Sequence, residues 1–295
     1  MKVLVTGVKG QLGFDVVKEL EKRGHEAIGV DREEMDITDE FVVRQVITDI
    51  APEAIIHCAA WTAVDAAEDS ENQENVHLVN AVGTKNIAQT CKTLDIKLLY
   101  LSTDYVFNGQ GTTPWTADCK DYHPLNVYGK TKLEGEQIVS ELLSKYFIVR
   151  IAWVFGVNGN NFINTMLKYG KSHDTLKVVN DQIGTPTYTH DLARLLVDMI
   201  ETDRYGYYHA TNEGGFISWY EFAKEIFQQA ETLGHSEYSS NRLIVLPVTT
   251  AEYGISKAAR PLNSRLDKSK LMENGFQPLP TWQDALQRYL KEIEF

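Results

Sequence analysis

Tyr128 stands four residues before Lys132, and Ser102-Thr103-Asp104-Tyr105 lies upstream of both. A phenol, an ammonium and a hydroxyl form a set able to deliver a proton to a carbonyl oxygen. Free tyrosine, with a pKa of about 10, is a poor acid or base near neutrality, so a neighbouring cation is needed to favour its phenolate. Spaced i, i+4 on one helix, Tyr128 and Lys132 share a face. Neighbouring side chains on a strand point opposite ways, so Thr103 is the expected hydroxyl, with Ser102 packed behind it. The spacing alone also describes a packed ring beside a solvated lysine, and the rest of the chain decides between the two.

Carbonyl reduction also needs a hydride carrier, and the N-terminus has the turn for one. Lys2–Val5 reads as a short buried strand, followed by Thr6-Gly7-Val8-Lys9-Gly10-Gln11-Leu12-Gly13 leading into a helix. Gly7 permits a tight turn, Gly10 lets backbone N–H groups approach a pyrophosphate, and Gly13 allows close helix–strand packing, with phosphates at the helix N-terminus. The spacing is Gly-x-x-Gly-x-x-Gly, not Gly-x-Gly-x-x-Gly. The next strand ends in Asp31, placed to take adenosine ribose hydroxyls, while Arg32 beside it can pair with a 2′-phosphate. Both NADPH and NADH therefore remain open.

The elements that must position these residues alternate. Strands at 2–6, 26–30, 54–57, 97–101 and 146–151 are separated by helices at 11–23, 39–49, 74–93 and 126–143, a pattern that means a doubly wound parallel α/β sheet of Rossmann type. Beyond Trp153 the pattern loosens, with helices near 162–170, 189–202, 218–233 and 282–292. The expected division is a dinucleotide-binding domain over 1–151, with part of 181–205 returning to it, and a smaller interleaved substrate-binding lobe over 152–295. Thr232–Asn241 is the expected mobile connector.

A net charge of −12 over 295 residues argues against nucleic acid or an anionic membrane as partner. The three cysteines, Cys58, Cys91 and Cys119, are widely spaced, which suggests neither a disulfide framework nor a zinc site. With no apolar run near the ~18 residues that cross a bilayer, a cytoplasmic protein is expected.

Thr6-Gly7-x-x-Gly10-x-x-Gly13, Asp36-Ile37-Thr38-Asp39, His57-Cys58-Ala59-Ala60, Ser102–Phe107 and Tyr128-x-x-x-Lys132 together resemble the extended short-chain dehydrogenase/reductase family. Later segments, Ile151–Gly156, Asp181–Thr187 and Ala259–Ser264, extend the resemblance over nearly the whole chain. The resemblance points to that family's reductases of nucleotide-linked ketosugars. It implies NADPH- or NADH-dependent reduction of the 4-keto group of a dTDP-sugar, dTDP-4-dehydro-β-L-rhamnose. Tyr128 would donate the proton, Lys132 would hold the nicotinamide ribose and depress the phenol's pKa, and Thr103 would orient the carbonyl. Gln11, Leu12, Asp36, Ile37, Ala59 and Ala60 would join the glycines, Asp31 and Arg32 around the cofactor.

On the substrate side the resemblance implies Thr62, Val64 and Asp104 near the sugar, and Gln182, Thr187 and Arg260 toward the nucleotide. Trp153 either lies beside the deoxysugar or plugs the space between lobes; Arg260 either meets the diphosphate or sits in a solvated turn. Asn80 would brace the site from behind. Relatives that bind magnesium at a dimer interface use clustered glutamates. The corresponding positions here, Asp15, His190 and Glu292, include a histidine, so no metal is expected and the chain is expected to be a monomer or weak homodimer. Tyr105 replaces the glutamate that sister dehydratases need for water elimination, and the epimerases' Ser-Ser-x-x-Val-Tyr-Gly run is absent. A non-catalytic dinucleotide-binding regulatory subunit, similar to the methionine adenosyltransferase β chain, is the alternative class.

Overall fold

The computed structural model describes residues 1–294. Five strands, β1 (Lys2–Thr6), β2 (Glu26–Val30), β3 (Ala54–His57), β4 (Lys97–Thr103) and β5 (Tyr146–Ile151), join a sixth at Gly206–His209. All pair in parallel, in the order β2-β1-β3-β4-β5 and then the sixth strand. Successive side chains face opposite sides of the sheet. Val3 and Val5 enter one core with α1 (Gln11–Lys22), while Leu4 enters another with α2 (Glu40–Ile50). Covering both faces is what lets the strands be apolar throughout.

Strand order reverses between β1 and β3, since β2 lies on one side of β1 and β3 on the other. Ligands of open α/β sheets bind outside the strand C-termini at such a switch point. Gly7 follows β1 and Ala59 follows β3, so the turn and the Ala59-Ala60 segment meet there.

The helix expected at 74–93 is broken: α3 (Gln73–His77) passes through a π-helical turn, Leu78–Val82, into α4 (Gly83–Leu94). After α5 (Val127–Leu142) and β5 come α6 (Phe162–Ser172), α7 (Thr189–Ile200) and α8 (Trp219–Thr232). Leu192, Leu196 and Met199 of α7 share the core of Val16 and Leu20 on α1. The chain thus returns to the sheet through both α7 and the strand Gly206–His209, farther than residue 205. The smaller core gathers Phe155 of the short strand Val154–Phe155 with Leu167, Phe222, Ile226, Leu286 and Tyr289 from α6, α8 and the C-terminal helix Trp282–Glu292. The stretch 232–241 is not a loose connector, because a 3-10 turn at Ser236–Tyr238 buries the Tyr238 ring in that core. Among the described residues, no helix is long and apolar enough to cross a membrane.

Candidate active site

One cleft of about 1000 Å³ runs from the glycine turn across the strand ends to the smaller lobe. Gly7, Gly10, Gln11, Leu12, Gly13, Asp31, Arg32, Asp36, Ile37, Ala59 and Ala60 line its first part. Gly7 has φ +71°, and a Cβ there would stand 2.8 Å from the Ala59 backbone. A Cβ on Gly13 would come within 2.3 Å of the Gly7 oxygen. Both glycines are therefore fixed by close packing of the turn, not by looseness. Gly10 is the N-cap of α1, which has no side-chain cap and no acidic residue in its first turn. Those N–H groups and the positive end of the helix dipole suit an anion.

At the end of β2, Asp31 accepts the Lys9 N–H at 3.0 Å and the Arg32 N–H at 2.9 Å, which ties β2 to the turn. The Arg32 side chain is 87% exposed and reaches Asp36 at 3.4 Å. The Gln11 side chain is engaged with the smaller lobe, accepting the Gly156 N–H at 2.9 Å and the Asn161 amide at 3.2 Å. It is a bracket between the lobes. These residues suit a dinucleotide: bare turn, uncapped helix end, and a carboxylate at the adjacent strand end.

The proton-transfer set lies deeper in the same cleft. Thr103 ends β4, and Tyr128 occupies the first turn of α5. Asn126 caps that helix by accepting the Gly129 N–H at 2.7 Å, and Glu68 takes the Val127 N–H at 2.7 Å. Two of the N–H groups left over at the helix start are thereby satisfied. Gly129 is bare because a Cβ would meet the Tyr105 oxygen at 2.3 Å. The Tyr105 ring meets Tyr128 edge-on, centroids 5.7 Å apart. Behind the site, Asn80 sits in the π-helical turn. It accepts the Trp61 N–H at 2.8 Å and donates to Thr131 at 3.1 Å, joining the loop after β3 to α5.

Burial is the leading electrostatic influence here. Burial raises the Tyr128 pKa above its ordinary value, with the Thr103 hydroxyl pulling it down and Asp104 and Tyr105 pushing it further up. The Lys132 ammonium lies over the Tyr100 ring at 4.1 Å. Burial also lowers the pKa of Lys132 itself to about 7, against the opposing pull of Glu136. Asp104 rises to about 7, chiefly through burial, and its Oδ2 has no hydrogen-bond partner. The cleft thus holds a protonated phenol, a buried lysine and a buried carboxyl close together, with the last two titrating near neutrality, and strongly shifted groups of this kind gather at functional sites.

Toward the smaller lobe, Thr62, Val64, Asp104, Trp153 and Arg260 line the cleft. Arg260 is half-buried and donates to Asp65 at 2.7 Å and to Tyr105 at 3.2 Å. Gln182 and Thr187, expected toward the nucleotide, are not among the residues that line this cleft. The Thr187 hydroxyl, fully buried, donates to the Ala152 carbonyl at 2.6 Å, and Gln182 donates to Thr250 at 3.1 Å. Thr187 holds backbone and Gln182 a neighbouring side chain. Sequence reasoning missed Phe162 and Trp219, which also line the cleft; Ser218 and Glu221 spell the capping box that places Trp219 at a helix start.

The magnesium positions are engaged with protein. Asp15 accepts from Thr189 at 2.5 Å and Glu292 from Tyr188 at 2.6 Å. Among the described residues, no three His, Cys, Asp or Glu side chains gather as a metal-holding group.

Comparison with known proteins agrees with this geometry. The chain is 38% identical over 291 residues to spore coat polysaccharide biosynthesis protein SpsK of Bacillus subtilis, covering 99% of this chain and 97% of that protein. It is 40% identical over 293 residues to a dTDP-4-dehydrorhamnose reductase of Aggregatibacter actinomycetemcomitans, covering 97% of each. The crystal structure of a dTDP-4-dehydrorhamnose reductase of Bacillus anthracis in complex with NADP superposes with a TM-score of 0.90 at 42% identity, over 99% of this chain and 100% of that one. The sequence profile of the RmlD substrate binding domain matches residues 1–295. The chain belongs to the RmlD substrate binding domain family.

Proposed function

We propose that the protein reduces the 4-keto group of dTDP-4-dehydro-β-L-rhamnose to give dTDP-L-rhamnose, with NADPH or NADH as the reductant. The observation that carries this reading is the convergence of Thr103, Tyr128 and Lys132 in the cleft that the glycine turn opens.

A nicotinamide held there would supply the hydride for the carbonyl carbon. Gly7, Gly10, Gln11, Leu12 and Gly13 hold its pyrophosphate, Asp31 the adenosine ribose, and Arg32 a 2′-phosphate when one is present. Asp36, Ile37, Ala59 and Ala60 wall the adenine and nicotinamide halves. Tyr128, kept protonated by burial, donates its proton to the ketone oxygen, and Thr103 hydrogen-bonds that oxygen and aligns it. Lys132 offers its ammonium to ribose hydroxyls, which replaces a stack on Tyr100 with charge-assisted hydrogen bonds. Thr62, Val64, Asp104 and Trp153 surround the sugar, and Arg260 faces the diphosphate. This reading places the chain in the cytoplasm as a monomer or weak homodimer.

The test is oxidation of NADPH and NADH with enzymatically generated dTDP-4-dehydro-L-rhamnose. Turnover supports the reading. Saturable cofactor binding without turnover would favour a regulatory subunit instead.

A further inference from the structure

Three features fix the Trp153 indole in one place, and none belongs to the proton-transfer set. Trp153 has φ +51°, a left-handed conformation that a bulky residue holds only when its surroundings impose it. Its ring stacks on Trp219, centroids 3.6 Å apart and planes 13° from parallel. A Cβ on Gly184 would stand 2.8 Å from Trp153 Cε2, so the indole lies against backbone that only glycine leaves bare.

The two contacts of Trp153 come from one tied unit. Gly184 pairs with Ile217 in a short antiparallel ladder, and Ile217 precedes the Ser218 cap that sets Trp219 at the first position of α8. Trp219 is supported in turn by Phe162, centroids 4.5 Å apart. Trp153, Trp219 and Phe162 are half-buried and line the same cleft as Thr103 and Tyr128.

We propose that Trp219 is a positioning residue, holding Trp153 so that the paired indoles form an apolar wall for the C–H face and methyl group of a 6-deoxyhexose. A deoxysugar suits such a wall because its methyl group needs no hydrogen-bond partner, whereas a hydroxyl buried there would lose its own to water. The stack keeps the large Trp153 ring from rotating into the space that the sugar takes. This inference rests on the ketosugar-reductase reading for the identity of the sugar.

The experiment compares wild type with Trp219→Phe, Trp219→Ala and Gly184→Ala. It measures binding of dTDP-L-rhamnose and of dTDP by calorimetry, KM for the ketosugar, and the exciton couplet that stacked indoles give in circular dichroism. Wild type should show the couplet and bind dTDP-L-rhamnose more tightly than dTDP. Trp219→Ala should lose the couplet and about tenfold in affinity for dTDP-L-rhamnose, with dTDP binding unchanged and the kinetic loss greater in KM than in kcat. Trp219→Phe should recover most of that affinity, since a phenyl ring can still stack. Gly184→Ala should displace Trp153 and reproduce the loss with Trp219 still present. Should Trp219→Ala fail to fold, the phenylalanine and alanine variants at 219 and 184 still separate the cases. Unchanged binding of dTDP-L-rhamnose in Trp219→Ala or Gly184→Ala, or equal loss of both nucleotides, would overturn the proposal. Wild-type turnover judges the reductase reading separately: sugar-dependent binding without turnover would defeat that reading and leave the wall standing.

Discussion

The Lys132 ammonium lies 4.1 Å above the Tyr100 ring, at a position only 3% exposed. Two glycines of the surrounding structure matter to this arrangement: Gly129 lets α5 approach Tyr105, and Gly135 leaves room for the Tyr100 hydroxyl, which a Cβ would meet at 2.3 Å. A buried cation over an aromatic face is held less well than one in water, which is why its pKa falls.

That fall has a consequence for stability in the protein without nucleotide. Lys132 titrates near 7 when folded and near its ordinary ~10.4 when unfolded. Between those values the unfolded chain binds the extra proton, so unfolding free energy rises with pH. Lys132 should therefore contribute a gain in stability from about pH 7 to 10, and its penalty should be complete below pH 7. Urea melts of wild type and Lys132→Met over this range check it: the variant should lack the upward slope, and parallel profiles would reject the shifted pKa.

Gly13→Ala should disrupt the glycine turn without touching any catalytic group. The added Cβ would press on the Gly7 carbonyl, which is backbone and cannot swing aside. Destabilisation of roughly 1–3 kcal/mol is expected, with weaker binding of both nicotinamide cofactors. Thermal melts and cofactor titration measure the two effects; wild-type values for both would mean that α1 can shift freely on β1.

Arg32→Ala separates the cofactors. Its guanidinium is exposed and only loosely paired with Asp36, so removal should cost the fold little. Affinity for NADPH should drop about three- to tenfold while that for NADH stays near wild type. Equal losses for the two would remove Arg32 from the 2′-phosphate.

Asp65 holds Arg260 from one side and accepts the Ala258 N–H at 3.0 Å, and Asp69 pairs with Lys257 at 2.7 Å. Asp65→Asn should free the segment around Arg260 and raise KM for the dTDP-sugar several-fold, leaving NADPH affinity intact. A change in cofactor affinity instead would place Arg260 away from the substrate.

What the sequence discloses and what it hides follow from distance along the chain. Strand alternation, the glycine turn and the Tyr128–Lys132 spacing are local patterns, so the parallel sheet and its dinucleotide turn are legible before any coordinates, and the residues proposed for proton transfer can be named. Arg260 and Asp65 are separated by 195 positions, and Trp153 and Trp219 belong to different elements; neither pairing has a local signature. The partners of Gln182 and Thr187 are hidden for a related reason: Gln182 donates to the Thr250 hydroxyl and Thr187 to the Ala152 carbonyl, both distant along the chain. The direction of the Tyr128 shift is hidden too, because it depends first on burial, with Thr103 opposing and Asp104 and Tyr105 adding to it.

The central claim is that the Tyr128 phenol delivers the proton to a ketosugar. The direct measurement is NADPH-dependent conversion of dTDP-4-dehydro-L-rhamnose to dTDP-L-rhamnose by wild type and Tyr128→Phe, with NADPH affinity determined for both. Turnover by wild type, a loss of roughly 10²–10⁴-fold in the variant, and nearly equal NADPH affinity are expected. A variant that turns over at close to the wild-type rate would contradict the account.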